Sequence, residues 1–335
     1  MSEQKFAQLR EAGRKVVDRA NVRKGENLVV TADTRTDMRI IEVIFDAARE
    51  IGAVPFSVIV PASGQEDHFT EPPKVFAEAL KGADVVIPLV RFSSYASAIL
   101  ETLKQKRVLG FAIAPTVDQV IEWMLDIDYE KIDKISRVVT DLLSDTREFK
   151  ITSPAGTDVV MMFGGRHIAD DPGKVEKTGD ENYLPGACIC VAPIEESWEG
   201  TIVFDALVYP PIGLLSSPIR LEVSHGRIEK IGGKDDAKKL KQWLEEFDDP
   251  NMFRMCHIGI GTNPQFKKFT GLKMLDERIY GIVGSGMGTN DIPVFEGNIR
   301  AKGHTDGYMN FASVYLDGTP LIQDGKFVHP KLRNV

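Results

Sequence analysis

Residues 27–60 read NLVVTADTRTDMRIIEVIFDAAREIGAVPFSVIV, and this stretch decides the fold class. NLVVTAD (27–33) is a valine-rich apolar run of strand length. Thr36 and Asp37 follow, residue types whose side chains accept hydrogen bonds from the unpaired amides of a first helical turn. Ile40, Ile41, Val43, Ile44 and Ala47 then recur at helical spacing. VPFSVIV (54–60) is a second apolar run. Two strands without a polar face, joined by a capped helix, predict parallel strands covered on both sides.

The same alternation extends outward. Phe6, Leu9, Ala12 and Val16 predict an amphipathic first helix over residues 3–20. A polar loop with Pro72 and Pro73 leads into a helix through Phe76, Ala79 and Leu80. ADVVIPLV (83–90) and RVLGFAI (107–113) are the third and fourth strands, with a helix through Ala98, Leu100 and Leu103 between them. Helices through Val117–Met124 and Tyr129–Leu143 complete an α/β domain with a mostly parallel, doubly wound sheet, residues 1–146. No GxGxxG or GxxxxGK[ST] follows any of these strands, so nothing points to a nucleotide.

Past residue 146 the texture changes. EFKITSPAGTDVVMMFGGRH (148–167) alternates around a Pro-Ala-Gly-Thr turn, as an antiparallel hairpin does. CICVAPIEESWEGTIVFDALVY, IRLEVSHGRIEKIGG and SVYLDGTPLIQDGKFV are further short strands joined by glycine-containing turns, with one main helix through Ala237–Phe247. Residues 147–335 are thus expected to form an α+β, mostly antiparallel domain. A chain of 335 residues exceeds one ordinary core, so two domains are also expected from length.

Composition narrows the function classes. With 43% hydrophobic and 27% charged residues the chain is globular, and no apolar run approaches the roughly 20 residues of a spanning helix. The charged, amphipathic N-terminus does not resemble a signal peptide. Three cysteines, an odd count in a long chain, fit a reducing cytoplasm. A net charge of −8 argues against nucleic acid, which is bound largely through lysine and arginine.

Chemistry concentrates between His257 and Asp306. Of six histidines, His257 opens HIGIGTNP and His304 opens HTD. Gly259 and Gly261 predict a tight turn after His257 that leaves its imidazole accessible. His304 and Asp306 share one face if their segment is extended. Two imidazoles and a carboxylate with open positions suit a first-row divalent metal, Fe(II) in the facial form. The alternative is a water-facing strand pair and a turn-capping histidine. GIVGSGMG (281–288) has too little side chain to fill a core, which predicts close backbone approach and room for the Ser285 hydroxyl, or else a bulge. GxSxG is not matched, because positions 283 and 287 are Val and Met. Cys188 and Cys190 are read as small core residues, and His68, His167, His225 and His329 as solvated side chains.

The segments ENYLPG (181–186), VAPIEESWEGTIVFD (191–205), GRIEKIGG (226–233), HIGIGTNP (257–264), GHTDG (303–307) and YLDGTPLIQDGKFV (315–328) resemble the M29 aminopeptidases of AmpS/AmpT type. That family holds two metals in a carboxylate-rich site, and here three of its ligand positions differ. A motif glutamate falls on Cys188, another on His257, and a histidine on Gly284. A second branch, the 2,5-dihydroxypyridine 5,6-dioxygenases, is closer at the site. The resemblance implies one non-haem iron at His257, Ser285, His304 and Asp306. Where that branch places histidines, this chain has ENYLPG and RFSSYAS, with Tyr183 or Asn182 at the first and Ser93 or Ser94 at the second. Tyr183 is the expected catalytic proton-transfer group.

The expectation is a cytoplasmic Fe(II) dioxygenase that cleaves a small hydroxylated aromatic or pyridine with O2. It forms a homodimer or larger homo-oligomer and engages neither nucleic acid nor membrane. The alternatives are a metalloaminopeptidase using Zn, Co or Mn, and a relative that kept the fold and lost the chemistry.

Overall fold

The computed structural model describes residues 1–62, 74–89, 102–292, 294–333 and 335. His68, Pro72, Pro73, Ser93, Ser94, Ala98 and Leu100 lie outside the described residues. Two compact units emerge. One comprises Met1–Tyr129 with Asp171–Gly186; the other comprises Glu130–Asp170 with Ala187–Val335.

The first unit is built on a five-stranded sheet, β1 (Asn27–Asp33), β2 (Val54–Val60), β3 (Val85–Pro88), β4 (Arg107–Phe111) and β8 (Glu181–Leu184), in the order β2-β1-β3-β4-β8. Every pairing in it is parallel. α1 (Glu3–Arg19), α2 (Met38–Glu50), α3 (Lys74–Lys81) and α4 (Val117–Leu125) accompany the strands. Asp37 caps α2, accepting from the Arg39 amide, and β1 is buried along nearly its whole length. Pro55 is tolerated because β2 is an edge strand, where a missing N–H breaks no ladder.

The division departs from a single cut near residue 146 at two places. α5 (Tyr129–Ser144) buries Ile135, Val139 and Leu143 in one cluster with Phe149 and Trp198, so its apolar face belongs to the second core. ENYL, in contrast, pairs in parallel with β4 as β8 and returns to the first unit.

The second unit holds two sheets. In the first lie β5 (Glu148–Thr152), β6 (Asp158–Met162), β10 (Glu199–Phe204), β13 (Ile219–Ser224), β14 (Arg227–Gly233), β18 (Ser313–Leu316), β19 (Thr319–Gln323) and β20 (Lys326–Phe327). Its β5–β6 hairpin pairs Thr152 with Asp158 across the expected turn. The second has the order β12-β11-β17-β16-β15-β9-β7. It is formed by β7 (Ile168–Asp171), β9 (Cys188–Val191), β11 (Leu207–Tyr209), β12 (Gly213–Leu214), β15 (Met255–Gly261), β16 (Val283–Gly288) and β17 (His304–Met309). The core contains residues of both sheets, such as Val159 and Ile202 with Ile258 and Met287, together with Leu240 and Leu244 of α6 (Asp235–Glu246). Among the described residues no helix is long and apolar enough to cross a membrane.

Candidate metal centre

Three adjacent antiparallel strands, β15, β16 and β17, carry the candidate residues. Register pairs His257 with Gly286, and Gly286 with Asp306. One row of this sheet, Ile258, Ile260, Val283, Met287 and Met309, is core. The other row carries His257, Gly259, Gly284, Gly286, His304, Asp306 and Tyr308, because side chains alternate along each strand. The glycines are there because rings lie across them. A Cβ on Gly286 would sit 2.2 Å from Cε1 and Nδ1 of His257, and one on Gly284 would sit 2.5 Å from the Tyr308 ring.

His257 does not precede a turn. It lies inside β15 and is only 5% exposed. Gly259 and Gly261 are strand residues whose missing side chains make room for neighbours: Cys190 Sγ lies opposite Gly259, and the carbonyls of Glu277 and Ile279 crowd Gly261. A register shift between Met255 and His257 makes Cys256 the extra residue of a bulge. The bulge lets consecutive side chains approach one another, and Cys256 Sγ lies 3.5 Å from His257 Nδ1 and 3.8 Å from His304 Nδ1.

The other edges of the two imidazoles converge on one oxygen. His257 Nε2 is 3.0 Å and His304 Nε2 3.3 Å from Asp306 Oδ1. The rings stack with centroids 5.1 Å apart and planes 8° apart, and Phe295 packs on His257 at 4.4 Å. His304 Nδ1 lies 2.9 Å from the Thr289 carbonyl, which only accepts, so this nitrogen donates and Nε2 is the edge turned to Asp306. Adjacent ligands about 2.1 Å from an octahedral metal stand roughly 3 Å apart, and each imidazole Nε2 lies near that distance from Oδ1. Cys256, His257 and His304 also lie close enough to hold an ion through Sγ and ring nitrogens. On that side His304 Nδ1 is engaged by the Thr289 carbonyl, and burial pushes the Cys256 thiol up.

Charge around the carboxylate is dense. Lys273, at the start of the short helix α7 (Lys273–Asp276), places Nζ 3.0 Å from Asp306 Oδ2 and 2.9 Å from Glu277. Burial works against an ionised Asp306, but Lys273, His304 and His257 together hold it well below the usual carboxylate range. His257 is raised despite its burial, chiefly by Asp306. Tyr308 donates to Glu277 at 3.3 Å, and its phenol is pushed well up by burial and by Glu277 and Asp306.

Ser285 is not brought to this face. It pairs with Ile258 and Gly307, in the row of Val283 and Met287, and its buried Oγ has no hydrogen-bond partner among the described residues. The alternation that puts glycine under His257 necessarily turns residue 285 toward the core. Tyr183 lies on β8 in the first unit, its ring over Gly110 and its hydroxyl bonded to Glu181. Cys188 and Cys190 do share one face, with thiols 3.7 Å apart. Cys256 was visible beside His257 but set aside because the three cysteines do not supply the two pairs of a zinc site. Sequence reasoning missed Lys273, Glu277, Phe295 and Tyr308, of which Tyr308 could have been found by extending the H-x-D alternation two residues.

A buried polar network supports the bulge from behind. Glu195, from the VAPIEES segment, takes a two-pronged ion pair from Arg166 at 2.8 and 2.7 Å and accepts from the Asn298 amide at 2.9 Å. Burial opposes its charge, yet these donors push it down to about 2. Asn290 bridges this carboxylate to the Cys256 carbonyl, donating at 3.2 and 3.0 Å.

The family model described as NicX, 2,5-dihydroxypyridine 5,6-dioxygenase, matches residues 8–329. A 2,5-dihydroxypyridine 5,6-dioxygenase of Pseudomonas putida is 24% identical over 97% of each chain. The solved 2,5-dihydroxypyridine dioxygenase from P. putida KT2440 superposes with a TM-score of 0.85 at 22% identity, covering 99% of both chains. AmpT from Thermus thermophilus gives a TM-score of 0.70 at 15% identity over 97% of this chain and 100% of that one, a likeness of fold alone.

Proposed function

The chain belongs to the 2,5-dihydroxypyridine 5,6-dioxygenase family, and from that premise we propose that it opens the ring of a small dihydroxylated pyridine or related hydroxylated aromatic with O2, at one Fe(II) held by His257, His304 and Asp306. The observation that carries the assignment is the convergence of two imidazole Nε2 atoms on one carboxylate oxygen. Fe(II) in such a set supplies the oxygen chemistry and positions for substrate and O2.

The chain's own residues do the holding. Thr289 fixes the His304 tautomer, Phe295 and the stacked ring restrain His257, and Lys273 balances the buried carboxylates. A single metal is supported by what stands where the peptidases carry further ligands. Gly284 has no side chain, and Cys188 offers a buried thiol, 3.7 Å from that of Cys190, where the peptidases carry a glutamate. For proton transfer the reading assigns Tyr183, whose phenol engages Glu181. Ser285 would join the ligand set only if β16 reversed its facing. A cytoplasmic location, in keeping with three free cysteines, belongs to the same reading, as does a homodimer or larger homo-oligomer, which light scattering checks.

The test is anaerobic reconstitution with Fe(II), followed by O2 uptake across hydroxypyridines and catechols, beside leucyl-amide cleavage with Zn(II), Co(II) and Mn(II). O2 uptake with a dihydroxylated ring and negligible amide cleavage is expected. Amide cleavage without O2 uptake would refute the proposal.

A further inference from the structure

We propose that Lys273 is a positioning residue that fixes Asp306 as a one-oxygen donor, its ammonium occupying Oδ2 so that Oδ1 alone faces the two imidazoles. The inference rests on the metal site assigned above. Nζ of Lys273 lies 3.0 Å from Oδ2, on the opposite side of the carboxylate from His257 and His304, which both meet Oδ1.

A lysine is a flexible point charge and would not hold such a geometry unaided. Glu277 supplies the restraint. One helical turn beyond Lys273, it receives Nζ at 2.9 Å, and it is itself fixed by Arg278 at 2.5 Å and by the Tyr308 hydroxyl at 3.3 Å. Asp306 and Tyr308 lie on the same strand, so the chain of contacts closes on the sheet that presents the imidazoles.

The consequence is a count of open positions. Two imidazoles and one carboxylate oxygen fill three sites of an octahedral ion and leave three, enough for a chelating substrate and O2. A carboxylate that turned and offered both oxygens would take one of these. The cation beside Asp306 also weakens attraction for a dication. Lys273 therefore lowers metal affinity while keeping the site open, the reverse of what a merely structural residue does.

The experiment titrates Co(II), followed by its visible absorption. It compares wild type, Lys273→Arg, Lys273→Met and the double variant Lys273→Met/Glu277→Gln, which neutralises Glu277 together with its lysine and leaves Asp306 to the imidazoles and the metal. The double variant is expected to bind Co(II) at least tenfold more tightly. With Fe(II) its substrate KM should rise at least tenfold. Lys273→Arg should stay within about threefold of wild type in both. Co(II) binding equal to or weaker than wild type in the double variant, or an unchanged KM, overturns the proposal. His304→Ala is run alongside. If it loses Co(II) while the Lys273 variants match wild type, only the role of Lys273 falls. If it keeps wild-type affinity, the site assignment falls and the proposal with it.

Discussion

Gly286→Ala isolates the reason for the glycine-rich strand. The added methyl would lie 2.2 Å from the His257 ring and 2.9 Å from Cys256 Sγ. Ordinary carbon contacts are about 3.5–4.0 Å, so the imidazole must retreat by about 1.3 Å or more. It has little space to do so, since Phe295 stacks on it at 4.4 Å and the residue is buried. Gly286 does not have a positive φ, so the substitution acts through space and not through backbone strain. Overpacking of this kind costs about 1–3 kcal/mol. Displacing a functional group by about 1 Å costs on the order of 10²-fold, and a comparable loss of metal affinity is expected here. The assay pairs urea unfolding of the metal-free protein with Co(II) titration. Gly284→Ala serves as the control, because its methyl meets Tyr308 at 2.5 Å instead. It should lose similar stability and keep its metal. A folded Gly286→Ala with wild-type affinity, or equal metal loss in both variants, would refute the argument.

Further outcomes follow from the same geometry. His304→Ala and Asp306→Ala should each lose most bound metal while circular dichroism stays native, since few side chains build the site; full metal content in either variant would remove that residue from the ligand set. Ser285→Ala should keep its metal and gain about 1 kcal/mol, because it deletes a buried hydroxyl without a partner; metal loss on this substitution would return Ser285 to the site. Arg166→Met should destabilise by about 3–5 kcal/mol by stranding the Glu195 carboxylate, as chemical denaturation would measure. Glu195 is depressed to about 2 from its ordinary 4.5, so its contribution is complete above pH 4.5 and fades as pH falls toward 2. Glu195→Gln should flatten stability in that window, and an unchanged acid limb would exclude the carboxylate as its source.

Much of the fold was legible because its signals are local. The run 27–60 carries strand, cap and helix in one short stretch, and the hairpin over 148–162 announces its turn. The exchange of α5 and β8 between the two units was not legible. An amphipathic helix states that it has an apolar face but not which core receives it, and ENYL is too short to declare a parallel partner 73 residues earlier. At the site, H-x-D was readable because period-2 geometry fixes one face. His257 was expected before a turn and lies inside a strand, since glycines after a residue signal a turn as readily as a strand crossed by rings. Ser285 was misjudged because alternation was applied to its glycines but not carried through to the serine between them. Lys273 and Phe295 reach His257 and Asp306 only through tertiary packing, which no spacing in the sequence records.

The most direct measurement is anomalous diffraction at the iron edge from anaerobically Fe(II)-loaded crystals. A single iron is predicted per chain, about 2.0–2.2 Å from Nε2 of His257, Nε2 of His304 and Oδ1 of Asp306. Two protein-ligated metals, or one ion on the Cys256 Sγ side of the imidazoles, would contradict the account.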